Sequence, residues 1–158
     1  MSPTDAAIGG EPRTLPVSFH AYRQAHAGTW LDYARVHLDD PDRARTLVAR
    51  ALLDLARTWA HALRRPNVHA YAWALFRRHL DEYGPRPARI AVAASPHIPS
   101  LPGRHYDVLI LRTRLRCSAE QVADLLGTTA DGVRCDLRWA LRRSATHPGT
   151  TDPSEDIP

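Results

Sequence analysis

Arg134, Arg138 and Arg142 recur every four residues, with Arg143 beside the last, so on a helix they share one face. A row of guanidinium groups suits phosphate oxygens, each group offering a planar fork of donors. The stretch that leads into this row, SAEQVADLLGTTADGVRCDL (residues 118–137), shows what could position it. Val122, Ala123 and Leu126 sit at helical spacing on one face of a first segment, and Val133, Leu137 and Ala140 on one face of a second. Gly127 falls where the first helix must end and can take the positive φ of a tight corner. Thr129 is placed to cap the second helix, and Asp131 suits its first turn. Small Ala123 permits close approach of the two helices. These choices predict a helix-turn-helix whose second helix is apolar inside and basic outside. The same pattern serves any two-helix corner of an all-α protein, and Asp136 on the second helix would repel phosphate if it faced outward.

A second set of arginines stands earlier. Arg43, Arg50, Arg57 and Arg64 lie at strict seven-residue spacing on a segment whose other face carries Ala44, Leu47, Val48, Ala51, Leu55 and Trp59. This is either a solvated helix face or a surface for an acidic partner. Tyr71, Trp73 and Phe76 alternate with Arg77 and Arg78 in VHAYAWALFRRHLDEY, an arrangement that fits either stacking on unpaired bases or an aromatic core.

Catalytic chemistry is hardly represented. His79, Asp81 and Glu82 form a weak metal-like cluster, while the nine histidines are spread rather than paired at ligand spacing. No phosphate-cradling glycine loop or nucleophile motif is present. The expectation is a non-enzyme without metal or other cofactor. Cys117 and Cys135 lack C-x-x-C spacing and read as small buried fillers, with a redox pair between the two helices as the alternative.

The elements fall into two helical blocks. The chain has 158 residues, 44% of them hydrophobic, enough for one domain or two small ones. Its formal charge is +4, and every basic residue except histidine is Arg, a bias that GC-rich codon drift also produces. Residues 17–83 and 101–143 carry helical periodicity; 84–100 are Pro-rich and read as a linker; 1–16 and 144–158 are expected to be disordered. The first helix is expected to be interrupted near Gly28, and a second to begin after Pro41. Strand signals are close to absent. No apolar run is long enough to cross a bilayer, and the N-terminus lacks the order of a signal peptide, so no membrane association and a cytoplasmic location are expected. The fold class is all-α: two small helical domains, the C-terminal one a helix-turn-helix.

In this order the parts resemble the extracytoplasmic-function group of bacterial sigma factors. The likeness rests chiefly on LPGRHYDVLILRTRLRCSAEQVADLLGTTADGVRCDLRWALRR (101–143), which is similar to that family's reader of the upstream promoter element: Leu-Pro, a VLxLR helix, the helix-turn-helix and a run of Arg. A weaker likeness covers FHAYRQAHAGTWLDYARVHLDDPDRARTLVARALLDL, which resembles the family's polymerase-binding helices. The resemblance implies that Arg134 and Arg138 face the major groove, with Arg142 and Arg143 nearer phosphates, and that Thr129 and Asp131 belong to the same DNA-binding set. It also implies that Trp59, Asn67, Tyr71, Trp73 and Arg77 lie near a strand-opening surface, Asn67 as a base contact, although a turn after Pro66 explains Asn67 equally well. Arg43, Arg45, Leu47, Val48, Arg50 and Arg57 would meet the RNA polymerase core. The implied partners are promoter DNA, core polymerase and an anti-sigma factor.

The chain departs from the family at several of these positions. Around Leu47 and Val48 the family carries acidic and amide residues, whereas this chain has Arg45, Thr46, Ala49 and Arg50. A like-charge contact at a desolvated interface costs on the order of several kcal/mol. The alternative is therefore a sigma-like protein that has lost core binding and acts as a DNA-binding regulator or an interaction module. Arg78 stands near a usual Asn, and Cys117 in place of a usual Gly before the helix-turn-helix, where a strained turn is expected.

Overall fold

The computed structural model describes residues 15–83, 101 and 103–145. The expected linker (84–100), nearly all of the N-terminal segment and nearly all of the tail lie outside the described residues. Among the described residues seven α-helices follow in order: α1 (Val17–His37), α2 (Pro41–Arg57), α3 (Trp59–Ala62), α4 (Val68–Tyr83), α5 (Gly103–Leu109), α6 (Ala119–Leu126) and α7 (Ala130–Ala145). Among the described residues there is no strand, and no helix is long and apolar enough to cross a membrane.

Local chemistry sets most of the boundaries. Asp40 caps α2 by accepting from the backbone N–H of Asp42 at 2.8 Å, with Pro41 in the first turn, where its missing N–H costs nothing. Ser118 and Gln121 close a reciprocal capping box on α6. Asn67 Oδ1 accepts from Ala70 N–H at the start of α4, and Thr129 Oγ1 accepts from Gly132 N–H in α7. The expected break at Gly28 does not occur. Gly28 is exposed inside a continuous α1, and the roughly 1 kcal/mol that a mid-helix glycine costs is outweighed by Trp30 and Tyr33, both fully buried just beyond it.

The apolar stripe of α2 (Ala44, Leu47, Val48, Ala51, Leu55) is buried as its periodicity predicts. It packs among α1 and α4, around an aromatic centre in which Trp30 stacks on Phe76 with centroids 4.7 Å apart and Tyr33 meets Trp73 edge-on at 5.0 Å. After α5 the chain widens into one π-helical turn (Ile110–Arg114), closed by Leu115 N–H donating to Ile110 C=O. The strain expected at Cys117 falls one residue earlier: Arg116 holds φ +55°, the left-handed region that favours glycine.

The two helical blocks are packed against each other. Val108, Ile110, Leu111, Ala119, Val122, Ala123, Leu125 and Val133 join the residues of the first block in one continuous buried cluster. α6 lies against α4, while α7 packs on α5 and α6.

Candidate functional site

The segment expected to read nucleic acid is a helix, a tight corner and a second helix. Gly127 ends α6 at φ +66°, and Thr128 N–H returns to Ala123 C=O. Val122, Ala123 and Val133 are buried as expected; Leu125 rather than Leu126 fills the core, and Leu137 is half-buried. Cys117 is half-buried and burial pushes its thiol up, whereas Cys135 is exposed, so the expected buried filler is not found at Cys135. Both thiols are free.

The outer face of α7 exposes Arg134, Arg138, Arg142 and Arg143, with Thr129 and Asp131 exposed at its start. Arg134 is held on two sides, donating to Asp131 at 2.8 Å and to Glu120 of α6 at 2.6 Å. Arg143 lies over the Trp139 ring, whose other neighbour is a stacked His105. Asp136 is turned away from this face: α5 takes it up through Arg104 Nε at 2.7 Å and His105 at 3.4 Å, leaving its side chain 17% exposed. Arg104 also donates to Thr128, tying α5 to the corner. The Asp136 carboxylate is thus paired by α5 and turned from the arginine face.

The first-block candidates divide. Arg43, Arg45, Arg50 and Arg57 are exposed on α2. Arg43 donates to Tyr83 C=O, Arg45 pairs with Asp42, Arg50 covers the Tyr83 ring and Arg57 lies near Asp54. Leu47 and Val48 are core residues and offer nothing to a partner. Trp59 is buried, its Nε1 donating to Ser18, and Trp73 is buried too, so neither aromatic forms an exposed strand-opening surface. The period that suggested a stacking platform belongs to the core. Tyr71 is half-buried and Asn67 exposed, with Asn67 Nδ2 donating to Gly127 C=O across the blocks at 2.6 Å.

Trp73 and Arg77 are instead engaged by Asp107 of α5. This carboxylate, 5% exposed, accepts from Tyr33 Oη at 2.6 Å and from Trp73 Nε1 at 2.8 Å; Arg77 stands 3.3 Å away and itself donates to Tyr33 Oη. Burial pushes the Asp107 carboxyl up, and Arg77 with the two hydrogen bonds pulls it back. Beside it His37 Nδ1–H donates to Tyr33 C=O, leaving Nε2 to accept from Tyr106 Oη at 2.9 Å. Burial holds the His37 imidazole below its ordinary value.

A second polar group bridges the blocks where α1, α4 and α6 meet. His26 Nε2 and Asp124 Oδ2 are 3.4 Å apart, and His69 Nδ1 and Asp124 Oδ1 are 3.8 Å apart. The sequence reading missed this cluster because its members are separated by more than forty residues each and share no local spacing. It singled out His79, Asp81 and Glu82 instead, which diverge: His79 meets Asp54 at 2.8 Å, Asp81 lies near Arg77 and Glu82 near Arg78. Asp107 did leave a trace, as a lone carboxylate beside the apolar run VLIL.

Comparison of the chain with family models, with curated proteins and with solved structures yields no match.

Proposed function

We propose that this protein is a sigma-like transcription factor that reads promoter DNA with α7, the corner at Gly127 setting the approach of that helix. The observation that carries the reading is the outer face of α7, four arginines exposed together while Asp136 is drawn into α5. Such a face suits a phosphate backbone, and Arg134, oriented by Glu120 and Asp131, suits a base edge. On this reading the first block engages bacterial RNA polymerase core and directs initiation.

A second reading, a duplex-binding regulator that no longer recruits core, is favoured by two observations. The α2 face is basic where the resembled family is acidic, and Trp59 and Trp73 are buried rather than available to unpaired bases. An acidic protein, an anti-sigma factor among them, suits that α2 face.

Binding of the full chain to core polymerase, compared with Arg50→Glu, separates the two. Tight binding by the natural chain followed by promoter-directed initiation supports the sigma reading. Duplex binding without core binding, with a gain in core binding on Arg50→Glu, supports the regulator. Absence of any salt-dependent duplex binding removes both.

A further inference from the structure

Among the described residues, one group of His, Cys, Asp and Glu side chains converges: His26, His69 and Asp124 each offer a donor atom, all within 4.8 Å of one another. The spacing is wrong for hydrogen bonds. At 3.4 and 3.8 Å the two nitrogens are too far from the Asp124 oxygens, Oδ2 and Oδ1 respectively, to be bonded well, and no direct pairing satisfies them. His69 Nδ1 is buried and has no hydrogen-bond partner. Tyr22 points to the same place. Its hydroxyl is also buried without a partner, in a residue only 6% exposed, and its ring packs 4.5 Å from that of His26 and 5.5 Å from that of His69. Two buried polar atoms without a hydrogen-bond partner thus stand around one set of donors.

The donor chemistry narrows the ligand. Two imidazoles and one carboxylate suit a divalent first-row transition ion rather than Mg²⁺ or Ca²⁺, which take oxygen donors. Asp124 is more than half exposed, so the cluster is open to solvent on one side.

We propose that His26, His69 and Asp124 bind a zinc-type divalent ion that fastens α6 to α1 and α4. This site stands independently of the DNA reading. Because its ligands come from both helical blocks, binding stabilises their packing by mass action.

The test uses the metal-free full chain, titrated with Zn²⁺ against a chromophoric chelator and with Co²⁺ as a spectroscopic reporter. One tight equivalent is expected, with visible Co²⁺ bands and a rise of several degrees in Tm at saturating Zn²⁺. Asp124→Asn and His69→Gln, both at positions reached by solvent, are each expected to weaken that equivalent more than about 100-fold and to abolish the rise in Tm. Circular dichroism of the metal-free variants checks that they fold. Binding that both variants leave unchanged would place the metal on other histidines and overturn the proposal. So would Zn²⁺ affinity no greater than that for Mg²⁺.

Discussion

Asp107 has its carboxylate inside the fold because three donors from the first block meet it there: Tyr33 Oη, Trp73 Nε1 and the Arg77 guanidinium. Removing the carboxylate leaves those donors unpaired in a low-dielectric setting, which costs more than the pair contributes. Asp107→Ala is therefore expected to lower unfolding free energy by about 3 kcal/mol, measured by urea denaturation; a loss within about 0.5 kcal/mol, the ordinary range for surface changes, contradicts this account. The buried imidazoles make a separate prediction. His26 and His37 are both held below the ordinary 6.5 by burial. Between their folded values and 6.5 the unfolded chain binds more protons than the folded one. Stability is therefore expected to fall as pH drops through that window, by up to about 1.4 kcal/mol per pH unit for each group. Asp107 acts oppositely. Its raised value makes its contribution greatest below 3.8 and lost as pH rises through the folded value. Tm of the metal-free chain should fall between about pH 7 and about pH 5.5, and His37→Gln should flatten the slope. An unchanged slope would mean that His37 binds its proton alike in the folded and unfolded states.

At the scale of elements, the corner between α6 and α7 depends on one backbone conformation. Gly127 sits at φ +66°, and a Cβ there would stand 2.1 Å from Asn67 Oδ1. Asn67 is exposed and can move aside, so the steric part is relieved at the expense of its bond to Gly127 C=O. Gly127→Ala is expected to cost about 1–2 kcal/mol from the left-handed backbone, together with the lost cross-block bond, in the same denaturation measurement. The α7 face makes the functional prediction. Arg134 is fixed by two carboxylates and points toward a base-reading role, while Arg142 lies near the far end of the helix. Arg134→Ala is expected to relax sequence preference. Arg142→Ala should weaken binding to all duplexes alike and lower the salt slope by about 1. Equal effects of the two substitutions, measured by fluorescence anisotropy at several salt concentrations, would contradict the assignment.

At the scale of the molecule, a buried cluster that runs without a gap from α1 to α7 predicts one unfolding event. Thermal unfolding followed by far-UV circular dichroism and by tryptophan fluorescence should give coincident transitions, since Trp30, Trp59 and Trp73 report on the first block and Trp139 on α7. Two separated transitions would show that the blocks are independent. The packing also bears on function, because the surfaces that the sigma reading assigns to strand opening are partly taken up by it: Trp73 and Arg77 hold Asp107, and Asn67 holds Gly127.

The all-helical class, the start of α2, the apolar stripe of α2, the left-handed corner at Gly127 and the cap at Thr129 are legible in the sequence. Each of these depends on interactions within a few residues of chain, and local spacing records them. Partnership at long range is set by packing instead. Whether Trp73 faces a base or a core, whether Asp136 opposes phosphate or is bound by Arg104, and whether histidines 43 residues apart share an aspartate all depend on how helices pack. An amphipathic period says that a face is covered, and the covering element lies elsewhere in the chain. The uninterrupted α1 makes the same point: glycine weakens a helix locally, and the aromatic side chains that hold it through Gly28 act only once α4 is beside them.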